Sequence, residues 1–285
     1  MPGETRRAVL SQPDWLRSVP TEPRLPEGAR VVYTGCGTSF HAAQTGGRAV
    51  QALEAVLEPP AADLLVCVSH EGETRLTLEA ARAFRGDVWL VTGARESPLG
   101  ALASRVVVCT PELERSWCHT ASYTCAVAAL AALRGEDVAW LPEAVEEALR
   151  AEVTPPSQPR VLIAGAGRDW PTAQEAALKL REGAWAAAEA HQTEQLLHGH
   201  LAAVDETVRA YVLEGVGRAQ ERALDAAAAL EALGCETTVV PTRHPVVDVV
   251  FFQLLTVAAA AARGVGPDRI RRDDPRWQAA RDAYR

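Results

Sequence analysis

The chain has 285 residues, 48% of them hydrophobic and 23% charged, with a net charge of −8. That is ordinary globular composition, with apolar material enough for one large or two medium cores. The acidic balance and the lack of a long basic run argue against nucleic acid as a partner, and the arginines of residues 269–276 (RIRRDDPR) alternate with aspartates and read as solvated surface.

The opening MPGETRRAVLSQPDWL has no apolar core, so no signal peptide is expected. Residues 30–46 (RVVYTGCGTSFHAAQTG) read as an apolar strand, a glycine turn and a helix. Residues 61–70 form a second strand, and SHEGET (residues 69–74) opens the next helix. Strands follow at residues 87–93 and 105–110, and a helical stretch at 142–150 leads to the proline-rich segment 153–160 (VTPPSQPR). Residues 160–176 (RVLIAGAGRDWPTAQEA) then repeat the opening grammar at an offset of 130, with Gly35 matching Gly165, Gly37 matching Gly167, and Phe40 matching Trp170. A strand at 208–215, a helix at about 219–233 and a strand at 235–242 continue it. The apolar run 246–262 is interrupted by Asp248 and Gln253 and reads as a buried helix, not a membrane span. Such a duplication of alternating strands and helices predicts an α/β fold of two tandem units, each a parallel sheet flanked by helices in a flavodoxin-like three-layer sandwich. The expected boundaries are 1–152, an N-terminal helix plus the first unit, and 153–285. Six cysteines without CxxC pairing fit a reduced cytoplasm.

A strand, a glycine turn and a helix N-terminus make an anion site from backbone N–H groups and the helix dipole. A dinucleotide fold would need GxGxxG, but the third glycine is Phe40 in one copy and Trp170 in the other, which spoils the close helix–strand packing. No cofactor is expected. The hydroxyls of Thr38, Ser39, Ser69 and Thr74 suit a sugar phosphate at adjacent strand ends; Ser39 and Ser69 read equally well as helix caps. Glu175, Lys179 and Glu182 share one helix face at i, i+4 and i+7. They read either as a surface ion pair or as a working set. Lys179 is the only lysine in the chain, which favours a task needing a compact ammonium. From spacing alone His198 is a hydrogen-bonded turn or core histidine. His191, Glu194 and His198 could also line up along a helix as metal ligands, although no second cluster supports a metal and none is expected.

GCGTSFHAA (residues 35–43), SHEGET (69–74), HTASYT (119–124) and EAALKLREGAWAAAEAHQTEQLLHG (175–199) resemble, in that order, the motifs of the sugar isomerase (SIS) family, in the branch of the glucosamine-6-phosphate synthase isomerase domain. The resemblance extends upstream to SQPDWLRS (11–18). It implies a sugar phosphate held by Ser39, Ser69 and Thr74 with Thr38 nearby, and Glu182 as the base that moves a proton between C1 and C2. It implies Lys179 one turn away, and His198 as a ring-opening group reaching into a neighbouring subunit of a homodimer. The chain departs from that pattern. His70-Glu71 replaces Gln-Ser in the phosphate loop, and Glu71 sets a negative charge beside a dianion that a protonated His70 would offset. The tail has no Schiff-base lysine, no glutaminase domain is expected within these residues, and His200 replaces a proline. The expected activity is therefore a sugar-phosphate isomerase or an amino-sugar deaminase or deglycase. The alternatives are a non-catalytic sugar sensor or regulatory subunit, and an enzyme whose ammonia donor lies on another chain.

Overall fold

The computed structural model describes residues 3–284. In chain order the first half holds α1 (Glu4–Arg17), β1 (Val31–Gly35), α2 (Thr38–Gly46), β2 (Ala49–Gln51), α3 (Ala52–Leu57) and β3 (Leu64–Val68). Then come α4 (Arg75–Ala83), β4 (Asp87–Thr92), β5 (Arg105–Val108), α5 (Ala121–Leu133) and α6 (Leu141–Ala148). The second half holds β6 (Arg160–Gly165), α7 (Trp170–Ala184), β7 (Ala187–Gln192), α8 (Thr193–Leu197), β8 (Val208–Leu213), α9 (Arg218–Ala232), β9 (Glu236–Val240), α10 (Pro245–Ala262) and α11 (Pro275–Asp282).

Two parallel sheets result. The first has strand order β2-β1-β3-β4-β5 and the second β7-β6-β8-β9. Side-chain alternation explains why each is covered on both faces. On β3, Leu64, Val66 and Val68 enter one core cluster while Leu65 and Cys67 enter the other. On β6, Val161 and Ile163 face one cluster, and Leu162 and Ala164 the opposite one. Each sheet is thus the middle layer of three.

α10 ties the halves together. Its Val246, Val247, Val249 and Val250 belong to the core under the first sheet, whereas Phe252 and Leu255 belong to a core of the second. It packs on α7, α5, α6 and α1. Although 18 residues long and mostly apolar, it is 67% buried inside the fold, as expected for a core helix. α1 joins the same seam: Gln12 Nε2 donates to Gln253 Oε1 at 2.8 Å, and Gln253 Nε2 donates to the Thr120 carbonyl at 3.2 Å.

The two matching sequence segments share a backbone geometry. Gly37 and Gly167 both sit at positive φ, 55° and 58°, a conformation that penalises side chains and favours glycine. Gly35 and Gly165 both press on the helix that follows: a Cβ at Gly35 would lie 2.8 Å from the Ser39 backbone, and one at Gly165 would lie 2.9 Å from the Asp169 carbonyl oxygen.

Candidate functional site

In the first sheet, β1 runs between β2 and β3, so the chain crosses from one side of β1 to the other. Ligands of such sheets bind in the crevice outside the carboxyl ends of the strands at this switch point. A cavity of about 680 Å³ lies there, walled by the loops after β1 and β3, by the segment 117–126 and by Glu182 of α7. Its outer wall is the C-terminal segment.

Thr38, Ser39, Ser69, His70, Glu71 and Thr74 all line this cavity. The capping reading of the two serines fails on geometry. Ser39 lies inside α2, whose N-cap is Gly37, and Ser69 lies at the end of β3, ahead of a loop whose Thr74 is the N-cap of α4; neither helix has a side-chain cap. Helix α4 therefore begins at Arg75, after SHEGET and not within it. Ser69 Oγ and Thr74 Oγ1 lie 3.2 Å apart, two hydroxyls facing one point. Thr38 instead donates to Glu175 Oε1 at 3.2 Å.

His70 does not offset Glu71. Its Nε2 accepts the Glu114 N–H at 3.0 Å, and burial pushes its pKa down to about 4, so the ring is neutral near pH 7. Glu71 is exposed at the cavity rim.

Helix α7 delivers the charged group. Lys179 is fully buried, with Nζ 3.4 Å from Glu175 Oε1 and donating to Glu182 Oε2 at 2.6 Å and to the Cys118 carbonyl at 2.8 Å. Burial pulls its pKa down, but Glu175 and then Glu182 outweigh that and hold it above its ordinary value. Two hydrogen bonds and the Glu175 ion pair surround the ammonium, so Lys179 is placed as an electrostatic partner and not as a free amine. Glu175 is also fully buried. Burial raises its pKa, but the Lys179 charge and then the His41 hydrogen bond at 2.8 Å more than compensate, leaving it lowered. Glu182 is the member of this set that reaches the cavity.

His198 lies apart from Lys179 and Glu182. It caps the end of α8 with 71% of its side chain exposed, and its Nε2 pairs with Glu194 Oε1 at 2.7 Å. The helical metal triad does not form. Residues 187–192 make strand β7, so His191 shares no helix with Glu194 and His198. Among the described residues, no group of three or more His, Cys, Asp or Glu could hold a metal ion. His200 stacks on His191 at 4.4 Å.

The tail is a further correction. Ile270, Arg272, Arg281 and Tyr284 line the cavity, so residues 269–276 are not simply solvated surface. Arg272 lies 3.5 Å over the Trp117 ring, and Arg271 stacks between Trp185 and Trp277 at 3.9 and 4.0 Å. Trp117 and Trp185 are far away in sequence, which hid these contacts. Sequence reasoning also passed over His119, Ser122 and Tyr123 as cavity residues. The signal available was their place in HTASYT, one of the resembling motifs.

No family profile matches the chain. A glutamine–fructose-6-phosphate aminotransferase of Aeropyrum pernix is 29% identical over 94% of this chain and 54% of its own length. The corresponding Gloeobacter violaceus protein is 27% identical over 80% of this chain and 45% of its own. The chain is similar to proteins of the sugar isomerase (SIS) family. It spans about half the length of the curated relatives it matches. The SIS fold recurs in solved structures. The glucosamine-6-phosphate deaminase of Thermotoga maritima superposes with a TM-score of 0.78 at 20% identity, covering 94% of this chain and 97% of its own. Tagatose-6-phosphate ketose/aldose isomerase of Escherichia coli gives 0.76 at 18% identity, covering 94% and 95%.

Proposed function

We propose that the cavity binds the open-chain form of a sugar phosphate and that the chain is an isomerase, or a deaminase or deglycase, working by proton transfer between C1 and C2. One arrangement carries this reading: Glu182, hydrogen-bonded by a buried ammonium, lines the same cavity as the paired hydroxyls of Ser69 and Thr74. The proposed phosphate site is Ser39, Ser69 and Thr74, with Thr38, His70 and Glu71 around it. Glu182 takes the proton from one carbon, giving an enediol, and returns it to the neighbouring carbon. Lys179 holds the Glu182 carboxylate in position. Where C2 carries an amine, the same shift gives a C2 imine, which water hydrolyses to ketone and ammonia. The names of the relatives and fold neighbours agree with this class of substrate.

The fuller proposal is a cytoplasmic homodimer of two tandem domains, 1–152 and 153–285, in which the exposed His198 serves the partner's cavity in ring opening. General base catalysis contributes about 10²–10⁴-fold. Glu182→Gln should therefore remove turnover of fructose 6-phosphate or glucosamine 6-phosphate at unchanged melting temperature. Deuterium uptake from solvent at C1 or C2, followed by NMR, checks this. Undiminished uptake in the variant would take Glu182 out of the mechanism.

A second reading, a sugar sensor without chemistry, is favoured by the arginines that stand in the tail wall and by Glu71 in the phosphate loop. Binding without any deuterium uptake by the unaltered chain would select it.

A further inference from the structure

The segment between β5 and α5 is pinned from every side. The Trp117 N–H donates to the Asp268 carbonyl at 3.0 Å. The Cys118 N–H donates to Ser116 Oγ at 3.1 Å, and the Cys118 carbonyl accepts from Lys179 Nζ at 2.8 Å. Buried Glu114 accepts the N–H and hydroxyl of both Thr120 and Ser122. Inside this frame His119 is held at φ 24°, a left-handed conformation uncommon for a residue with a side chain. Strain of that kind persists where the surroundings over-determine it, and it clusters at binding sites.

The frame also fixes the protons. Ser122 Oγ donates its single hydrogen to Glu114 Oε2 at 2.7 Å. The same oxygen lies 3.4 Å from His119 Nδ1. With its hydrogen committed, Ser122 Oγ accepts there, and Nδ1 is the N–H end of the ring. The imidazole is neutral, because burial first, then the charges of Lys179 and Arg272 with neighbouring His70, oppose a second proton and push its pKa to about 3. The lone pair is therefore on Nε2, which has no hydrogen-bond partner among the described residues. His70 packs on the ring at 5.1 Å and Trp117 at 6.5 Å, so the ring cannot turn freely. His119 shares its cavity with Ser69 and Glu182.

We propose that His119 contacts the bound ligand: the Glu114–Ser122 relay presents its Nε2 lone pair to the cavity as the acceptor for a sugar hydroxyl. The proposal rests on the sugar reading above. An acceptor there repels phosphate and carboxylate oxygens. It therefore assigns this wall to the hydroxyl-bearing carbons and leaves the anionic end to the loop at Ser69 and Thr74.

The test is ¹⁵N-histidine NMR of the full chain, with His119 assigned by substitution. Without ligand, His119 should show the Nδ1–H tautomer, and Ser122→Ala should loosen that preference. Fructose 6-phosphate and, separately, unphosphorylated sorbitol at high concentration serve as probes. Binding should move the Nε2 resonance of His119 and leave that of His244, which lies outside the cavity, in place. His119→Ala should weaken binding about tenfold, and His119→Gln, which restores an acceptor oxygen, should recover part of it at matched melting temperature. An Nε2–H tautomer overturns the proposal without any sugar. So does an Nε2 resonance that neither probe moves. A response to sorbitol alone upholds this proposal and sinks the phosphate reading.

Discussion

The two glycine turns, 35–39 and 165–169, match in sequence pattern and differ in surroundings. Both keep a positive-φ glycine and a glycine pressed against the next helix. After the first turn come Thr38 and Ser39, and the turn opens on the cavity. At the matching positions the second has Arg168 and Asp169, and none of residues 165–169 lines that cavity. Asp169 is buried instead, its Oδ2 accepting from Thr242 Oγ1 at 3.2 Å and its Oδ1 3.8 Å from Arg168 Nε without a hydrogen bond. The helix behind the second turn, α7, then sends Glu175 to Thr38 and His41 and Glu182 into the first cavity. The first turn lines the cavity, and the helix after the second supplies charged groups beside it.

The largest expected effect lies on that seam. Lys179→Met leaves Glu175 as a buried charge without its main partner, a change that costs about 3–5 kcal/mol. Urea unfolding should show a loss of that size. A loss below about 1 kcal/mol would mean that the ammonium does not hold the two halves of the chain together.

The second effect separates the copies by pH. Burial raises the Asp248 pKa to about 7, with Asp169 adding to it. The folded chain then binds more protons than the unfolded chain between the ordinary carboxyl value and about pH 7. Stability from this group is thus complete below that window and lost as pH rises through it. Asp248→Asn keeps an acceptor for the Arg243 and His244 N–H groups and removes the charge. Its stability relative to the parent should climb from pH 4 to 8, by up to about 4 kcal/mol. His70 and His119, with pKa values lowered by burial to about 4 and about 3, act in the opposite sense, as does His244 near the second turn. Their contribution is present above the unfolded value near 6.5 and lost as pH falls toward the folded values. Thermal melts across the pH range check both signs. A flat difference between variant and parent would remove Asp248 from the account.

The smallest effect is on binding. Ser69→Ala deletes one hydroxyl from the proposed phosphate site, worth about 1.5–3 kcal/mol for a bond to a charged group. Asp169→Asn, in the other turn, should leave affinity unchanged. Calorimetric titration with fructose 6-phosphate compares the two, and equal losses would break the distinction between the turns.

Much of this was legible in the sequence. The strands at β1, β3, β4, β6 and β8 are β-branched or apolar runs that end in turns, and the duplication is plain in residues 30–46 and 160–176. Helix α9 falls within one residue of its expected place. Strand β7 was not legible: AAEAHQ has no β-branched residue, and only pairing with β6, Ile163 opposite Ala190, makes it a strand. β2, with the sequence AVQ, is only three residues long and too short to stand out as a strand. The motifs named Glu182 and the loop hydroxyls. They could not show that His70 turns to Glu114, that Lys179 is sealed among three partners, or that Arg272 lies on Trp117. Each of those depends on residues brought together from distant parts of the chain.

A crystal structure with fructose 6-phosphate tests the central claim most directly. One sugar per chain is expected in the first-turn cavity, its phosphate among Ser39, Ser69 and Thr74 and its C1–C2 edge at Glu182. A phosphate bound at residues 165–169, or a sugar in the cavity turned with its phosphate toward His119, would contradict it.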